Sequence, residues 1–231
     1  MDENKNKPFG NKDETEKNRE LTKAEQERLA HFEAVSDDLI QKGYKRTDLT
    51  VGIVKGNLFA VILFAVAAII GVGVFYLVHR DLTKGVMITD SPLGSLMIDC
   101  ILLLPVIIVL TVLHELIHGA SWAIFAEHHF KDIRFGLIKK YLTPYCNCLS
   151  PLSRGQYIFG SLMPTIVLGI IPMIVAIAIG SMPILMIGIL MTTAGGGDIL
   201  CTREILRYKT KAETVLYIDH PTQVGGVIFE K

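Results

Sequence analysis

The sequence has no excess of charge of either sign and few cysteines. Its 231 residues include 23 Lys and Arg and 23 Asp and Glu, so the formal net charge is zero. A balanced charge provides no electrostatic attraction for nucleic acid, and we predict that no nucleic acid is a partner. The long polar N-terminus lacks the form of a cleavable signal peptide. Four cysteines lack the spacing of a secreted disulfide framework: Cys100, Cys146, Cys148 and Cys201.

Charge is also missing from long stretches of the chain. Residues 1–50 hold ten of the Lys and Arg and twelve of the Asp and Glu, so the remainder is far more apolar than the mean hydropathy of +0.42 indicates. This pattern predicts an α-helical integral membrane protein with about four transmembrane helices. The four apolar segments that are long enough to cross a bilayer are Leu58–Val78, Leu96–Phe125, Tyr157–Ile179 and Pro183–Leu200.

The polar N-terminal region divides into a tail and a helix. Residues 1–20 have too few apolar side chains to fold, and we predict a disordered tail. Thr22 and Glu25 have the spacing of a capping box, and Gly43 is suited to end the helix that follows. The pattern predicts a helix over residues 23–42, which packs on its own protein or binds a membrane surface or a partner. Apolar residues recur at helical spacing within it: Leu29, Phe32, Val35 and Leu39.

The distribution of Lys and Arg predicts the orientation of the chain. The region up to Lys55 has eleven, the first loop two, the second loop five, the third loop none and the tail five. Lys and Arg are enriched on the cytoplasmic side of membrane proteins. This alternation therefore predicts a multi-pass protein of the cell membrane with both termini in the cytoplasm, where cysteines of the second loop stay reduced.

Two stretches outside the apolar segments have the composition of short β-hairpins. Residues 130–145, in the second loop, alternate in places between apolar and polar side chains around Gly136. Residues 214–219 and 223–229 are rich in β-forming residues and are separated by a His-Pro turn. We therefore expect four parts in the chain: a disordered tail at 1–20, a cytoplasmic helical region at 21–55, a four-span membrane core at 56–203, and a cytoplasmic tail with a hairpin at 204–231.

The five residues from His114 to His118 read His-Glu-Leu-Ile-His and lie near the end of the second apolar segment. Residues four positions apart lie on the same face of a helix, so the two imidazoles can reach one metal ion. Glu115 lies one position along as a candidate general base. Ionisable side chains in an apolar helix are costly unless each has a partner, and they usually mark function. The alternative is a buried polar cluster that hydrogen-bonds to neighbouring helices.

Asp198 is the candidate third ligand. With both termini inside, the second and fourth segments run from outside to inside, so His114 and His118 lie in the inner half of one helix. Asp198 lies about 22 Å along the other helix, at a similar depth. Glycines at 195–197 loosen the helix just before Asp198, so its carboxylate can turn toward a metal held by the neighbouring helix. A helix-capping role for Asp198 at this break is the alternative.

Other residues have weaker claims to the site. The histidines at 128–129 follow the motif closely, but they lie in a charged loop beyond the helix. Cys146 and Cys148 form a lone Cys-x-Cys, which is more often a pair of ordinary thiols than a metal site. Asp219 and the histidine after it can reach the site from the cytosol or can belong to a turn beside Pro221.

These residue types together predict a zinc hydrolase. A zinc ion held by His114, His118 and Asp198 keeps a fourth position for water and polarises a substrate carbonyl. Glu115 takes a proton from the water and passes it to the leaving amine. Peptide hydrolysis with Zn2+ as the cofactor follows from this set. An edge strand of the second-loop hairpin would hold an extended substrate by β-augmentation, unless the loop only covers the bundle.

The chain resembles known proteins at these residues. The His114–His118 motif in a membrane helix, with Asp198 near the inner end of a later helix, is similar to the site-2 protease clan of intramembrane zinc proteases. From about residue 55 to 231, the chain more closely resembles a family of small bacterial membrane proteins classed as putative zincin peptidases. The likeness lies in residues 145–148, 160–164, 195–200 and 219–221. It implies zinc ligation by the two histidines and Asp198, with Glu115 as the catalytic residue. Site-2 proteases usually carry Asn-Pro-Asp-Gly or Leu-Asp-Gly where this chain has Gly-Gly-Asp-Ile.

Two functions remain open from the sequence. The first is a zinc peptidase that cuts peptide bonds in or near the membrane, with the lipid bilayer and a membrane protein or peptide substrate as partners. The second is a non-catalytic metal-binding scaffold or sensor that acts through its N-terminal region. The substitution Glu115→Gln separates them, because it abolishes the first function and leaves the second intact.

Overall fold

The computed structural model of the protein describes residues 22–80, 93–138 and 143–231. The predicted disordered tail at residues 1–20 and most of the first loop lie outside these residues. The described part of the chain is mostly helical and carries two small antiparallel sheets. This is the combination of helices and short β-hairpins that the sequence predicts.

The N-terminal helix, α1, covers Lys23–Gln41. The Glu25 backbone N–H donates to Thr22 Oγ1 at 3.4 Å, and the Thr22 backbone N–H donates to Glu25 Oε2 at 2.9 Å, which confirms the capping box. At the other end Gly43 adopts φ of 89°, a left-handed conformation that glycine reaches without strain. Its N–H donates to the Ile40 carbonyl at 2.9 Å and closes the helix.

Among the described residues, three helical stretches are long and apolar enough to cross a membrane. Helix α2 covers Ile53–Val78, and helix α3 covers Leu93–Ala123. The third stretch consists of helix α4 at Arg154–Pro164, a π-helical turn at Thr165–Ile170 and helix α5 at Ile171–Ile179. These helices contain most of the first three predicted apolar segments and confirm them as helical.

The fourth apolar segment is a bent pair of helices. Helix α6 covers Met182–Ala194 and helix α7 covers Gly196–Arg207, and their axes differ by 47° at the break between them. When the pair is taken as one span, four segments are suited to crossing a membrane, as the sequence predicts. Gly180, with φ of 73°, ends α5 and makes the tight turn into α6.

The long helices expose apolar side chains along much of their surface. On α2, Val54 is 77% exposed and Ile69 is 74% exposed, although both are large and apolar. Contiguous apolar surface of this extent is unfavourable in water and is typical of a surface that contacts another protein or a membrane. The outer face of the bundle is therefore suited to contact with lipid chains.

The strands form two sheets. Strands β1 (Lys45–Thr50), β4 (Leu152–Ser153), β5 (Val215–Asp219) and β6 (Gly225–Glu230) pair antiparallel in the order β1-β6-β5-β4. Strands β2 (Ile133–Ile138) and β3 (Thr143–Cys148) form a separate hairpin. Both predicted hairpins, β2–β3 and β5–β6, are confirmed.

Strands β1 and β4 were not expected from the sequence. Strand β1 pairs with β6, where Lys45 lies opposite Glu230 from the far end of the chain. The short strand β4 pairs with β5, where Leu152 lies opposite Tyr217. Because strand pairing depends on partners far apart in sequence, the composition of β1 and β4 alone does not reveal it.

The sheet and α1 pack together outside the bundle. Buried Phe32 and Leu39 of α1 lie against a cluster of sheet side chains, namely Ile218, Val227 and Phe229. Helix α1 therefore packs on its own protein, the first of the three roles considered for it. The strands precede α2 and α4 and follow α3 and α7, so they gather at one end of the bundle, where these helix ends meet.

Candidate metal centre

His114 and His118 lie one turn apart on α3, near the end of the bundle that carries the strands. Both are buried, at 6% and 4% exposure. Their rings meet edge to face with centroids 4.8 Å apart, and the two Nε2 atoms are separated by 3.2 Å. The i, i+4 spacing thus brings both imidazoles to one point, as the sequence predicts.

Asp198 reaches the same point from the broken fourth segment. It lies in the first turn of α7, where a carboxylate is favoured by the positive end of the helix dipole. Its Oδ2 atom lies 3.2 Å from His114 Nε2 and 3.4 Å from His118 Nε2. Asp198 of the fourth apolar segment and the two histidines of the second therefore come together in the fold.

The spacing of these three atoms fits a zinc site. Zinc ligands at about 2.0–2.1 Å in a tetrahedron lie roughly 3.3 Å from one another. The three observed separations are 3.2, 3.2 and 3.4 Å, so the three ligand atoms are spaced as the corners of one tetrahedral face. Within the described part of the chain, this is the group of three or more His, Cys, Asp or Glu side chains that is suited to hold a metal ion. Two imidazole nitrogens and a carboxylate are also a donor set that zinc accepts.

A hydrogen bond to helix α4 orients the His118 ring. His118 Nδ1 lies 2.9 Å from the Gly160 carbonyl oxygen, so the ring N–H donates there and Nε2 presents its lone pair to the cluster. Trp122 stacks on the same ring with centroids 5.0 Å apart and planes 15° apart. Trp122 Nε1 donates to the Tyr157 carbonyl at 3.1 Å. Helix α4 thus holds both His118 and the side chain that packs on it.

Glu115 lies beside the cluster and next to strand β3. Its side chain is half-buried, and α3 packs on β3, the strand that contains Cys146. Because this carboxylate is not among the three converging ligand atoms, it is free to act on a molecule bound there.

Asp219 supports the site from the sheet and is not part of the converging group. Its Oδ1 accepts a hydrogen bond from the Tyr157 hydroxyl at 2.5 Å, and its Oδ2 accepts from the Cys148 backbone N–H at 2.8 Å. Burial raises the pKa of the Asp219 carboxyl, while these donors, together with the Asn147 side chain, oppose the rise. Through these hydrogen bonds Asp219, on β5, connects strand β3 and helix α4 next to α3, the helix that carries both histidines.

The other residues considered from the sequence are not part of the converging group. His128 is exposed and pairs with Asp132 at 3.3 Å. His129 Nδ1 bonds to the Ala123 carbonyl at 2.9 Å. Burial raises the pKa of the Cys148 thiol to about 12, and it raises the pKa of Cys146 further, so both remain weakly ligating thiols.

The supporting residues of the site were not identified from the sequence. Trp122 offered a signal, since the single tryptophan of the chain lies four residues after His118 and hence on the same helix face. Gly160 and Tyr157 offered none, because their roles depend on a contact between α3 and α4. An added Cβ at Gly160 would overlap the Trp122 indole, so only glycine permits this approach.

The comparisons with known proteins agree with this geometry. A family model described as "Putative zincin peptidase" matches residues 107–212. The matched region contains the His114–His118 motif and Asp198. No curated protein and no solved structure matches the chain. Over residues 107–212 the sequence is therefore similar to the family of putative zincin peptidases.

Proposed function

We propose that this protein is a zinc-dependent peptidase of the cell membrane, which hydrolyses peptide bonds within or next to the bilayer. One observation carries the proposal: two imidazole nitrogens and a carboxylate oxygen converge at zinc-ligand spacing beside Glu115. A histidine pair joined by an aspartate from a later helix is also what the resemblance to the site-2 protease clan implies.

Three features of the fold support a membrane location. Three helical stretches, or four with the bent pair, have the length and apolar composition of membrane spans. Strand β1 pairs with β6, so the two ends of the described chain lie on the same side of the bundle. The Lys and Arg content of these ends favours the cytoplasmic side. We therefore propose a site that opens toward the cytosol.

The residues divide the chemistry between them. His114, His118 and Asp198 would hold the ion, which when bound polarises a water molecule and the substrate carbonyl. The Glu115 carboxylate removes a proton from the attacking water and delivers it to the leaving nitrogen. The two histidines are buried and shield one side of the site from bulk water. The Asp198 side chain is 29% exposed and lies on the side that a substrate can reach.

The outer edge of strand β3 is suited to hold the substrate extended. In an antiparallel pair, alternate residues turn their backbone groups away from the partner strand. The Cys148 N–H donates outward to Asp219, and Cys146, two residues earlier, faces the same way toward Glu115. A substrate strand that pairs with this edge would lie beside Glu115, within reach of proton transfer by its carboxylate.

The test compares wild type with Glu115→Gln and Asp198→Asn in purified full-length protein. Zinc content and cleavage of membrane-anchored peptides are measured for each. We expect Glu115→Gln to retain zinc and lose cleavage by several orders of magnitude, because the site keeps its ligands and loses its base. We expect Asp198→Asn to lose both zinc and cleavage.

Two outcomes would reject this function. Cleavage by Glu115→Gln at the wild-type rate would remove the proposed mechanism. Loss of function on deletion of residues 1–45, with Glu115→Gln fully functional, would favour the scaffold or sensor in its place. A third outcome would change only the ligand set: zinc retained by Asp198→Asn but lost by His114→Ala would assign the third-ligand role to another residue.

A further inference from the structure

Arg28 of helix α1 reaches past the four-stranded sheet to the β2–β3 hairpin beside the candidate metal centre. Arg28 lies four residues before buried Phe32, so both are on the face of α1 that packs on the protein. Phe32 ends on the sheet cluster, whereas Arg28 extends toward strand β3. The capping box and the glycine end make α1 a well-defined helix that presents Arg28 from a fixed position.

Arg28 connects three parts of the chain that are distant in sequence. Its Nε donates to the Pro221 carbonyl at 2.7 Å, in the turn between β5 and β6. Its guanidinium carbon lies 4.4 Å from the centre of the Tyr145 ring, a cation–π distance. A planar guanidinium can make both contacts at once, because it stacks through its face and donates through its edge.

The Tyr145 ring connects Arg28 to both strands of the β2–β3 hairpin. Tyr145 lies opposite Gly136 of β2, and an added Cβ at Gly136 would overlap the ring and its hydroxyl. The ring therefore covers the backbone of β2 on one side and meets Arg28 on another. Fixing this ring fixes the pairing of β2 with β3 at the point nearest to Cys146.

Strand β3 is held on both sides of Cys146. Arg28 contacts the Tyr145 ring, and Asp219 accepts a hydrogen bond from the Cys148 N–H. Cys146, between these anchors, belongs to the strand that packs on α3, the helix that carries Glu115. The position of the candidate base relative to β3 thus depends on a contact made by α1.

The Arg28 guanidinium lies where α1 meets the β2–β3 hairpin and the four-stranded sheet. Arg28, Asn147 and Asp219 line a cavity of about 10 Å³ between α1, β3 and the sheet. That volume leaves room for about one water molecule. Arg28 Nη1 and Asn147 Oδ1 are both buried there and, among the described residues, have no hydrogen-bond partner.

We propose that Arg28 is a positioning residue for the reaction, through which docking of helix α1 keeps strand β3 in register with Glu115. The proposal rests on the peptidase function proposed above. Helix α1 then acts as a clamp within the same chain, because its docked position holds β3 beside Glu115. When the contacts of Arg28 are lost, β3 becomes more mobile while the zinc ligands stay in place. None of the three proposed zinc ligands contacts Arg28, so a substitution at Arg28 can change the position of β3 without changing zinc binding.

The test is amide hydrogen exchange of the full chain in detergent, read in peptides that cover residues 143–148. It compares Arg28→Ala, Arg28→Lys and, as a matched control on the same helix, Lys23→Ala. Lys23 is 91% exposed, and its ion pair with Glu27 spans 4.0 Å. All variants are made in the Glu115→Gln background as well, so that this measurement is independent of peptidase activity.

We expect Arg28→Ala to increase exchange in residues 143–148 roughly tenfold, because a charged hydrogen bond and a cation–π contact are lost together. Cleavage should fall roughly tenfold to a hundredfold, as for other small misplacements of a catalytic group, with zinc content unchanged. Arg28→Lys should recover part of both, since an ammonium can still lie over the ring. Lys23→Ala should match wild type.

Three results would overturn the clamp. Exchange in residues 143–148 of Arg28→Ala equal to that of Lys23→Ala would show that α1 does not hold β3. Increased exchange with unchanged cleavage would show that the strand does not position the base. Loss of zinc together with no recovery in Arg28→Lys would show a general structural role. If Arg28→Ala does not fold, Tyr145→Leu removes the same ring contact from β3, and unchanged exchange there rejects the proposal equally. These results are separate from inactivity of Glu115→Gln, which bears only on the peptidase function.

Discussion

The two helical segments that supply the candidate ligands reach the same point in different ways. Helix α3 runs without a break over Leu93–Ala123, and its two histidines meet because they lie one turn apart. The α6–α7 segment bends by 47° at Gly195, and Asp198 arrives only because of that bend. One half of the site is thus local in sequence and the other depends on packing.

The bend is held by contact with the third helical stretch. An added Cβ at Gly195 would overlap Thr165 Oγ1, at the start of the π-helical turn. Nearby, an added Cβ at Gly169 would overlap the Thr192 hydroxyl, so the π-helical turn and α6 approach closely at two levels. π-Helical turns are often found at functional sites, and this one lies against the segment that delivers Asp198. The position of Asp198 is therefore more sensitive to changes in helix packing than the position of the histidine pair.

The largest effect on zinc binding is expected when a ligand is removed from either half of the site. We expect His118→Ala and Asp198→Ala to weaken zinc binding by more than about a hundredfold, because even changes to groups behind a ligand cost 10–100-fold. Zinc competition with a fluorescent chelator measures both. His128→Ala is the control, since His128 is exposed and pairs with Asp132 outside the cluster. A small effect of Asp198→Ala beside a large effect of His118→Ala would break the comparison, because the bent segment would then supply no ligand.

A smaller effect is expected when the bend is disturbed without touching a ligand. Gly195→Ala should lower stability by about 1–3 kcal/mol, as for overpacking elsewhere, and should weaken zinc binding by moving α7. Thermal unfolding and zinc affinity are the measurements. Gly197→Ala is a matched control in the same glycine run, because an added Cβ there meets nothing within 4 Å.

A second variant shows whether the contact itself is responsible. Thr165→Ala removes the hydroxyl that Gly195→Ala would strike, so the double variant should recover part of the zinc affinity. Equal losses in Gly195→Ala and Gly197→Ala, or no recovery in the double variant, would mean that close packing at Gly195 does not place Asp198.

The smallest effect is expected on the regular half of the site. Trp122→Phe retains a ring to stack on His118 but loses the Nε1 hydrogen bond to the Tyr157 carbonyl. That carbonyl also accepts from Ser161 Oγ at 2.9 Å, so the loss should cost only about 1 kcal/mol of stability. Zinc affinity should change by less than tenfold. A loss as large as that of Gly195→Ala would show that α3 depends on packing as much as the bent segment does.

Much of the fold could be predicted from local patterns. The capping box at Thr22, the glycine end of α1 and the apolar segments each depend on residues within a few positions of one another. The β5–β6 hairpin is local in the same sense. Strand β1 is not, since its partner β6 lies at the other end of the chain. The contacts of Arg28 with Tyr145 and Pro221 are equally remote and leave no periodic signal.

The sequence by itself determined the histidine pair, its neighbour Glu115 and the helical segments that carry them, because helix periodicity converts a spacing of four residues into a shared face. It also indicated Asp198 as a candidate, through a carboxylate at a glycine break in an apolar segment. Only the tertiary structure decided that Asp198 meets the histidines, that Gly160 orients His118 and that α1 reaches β3. These contacts join segments far apart in the chain, and they depend on how closely helices pack, which local side-chain preferences do not specify.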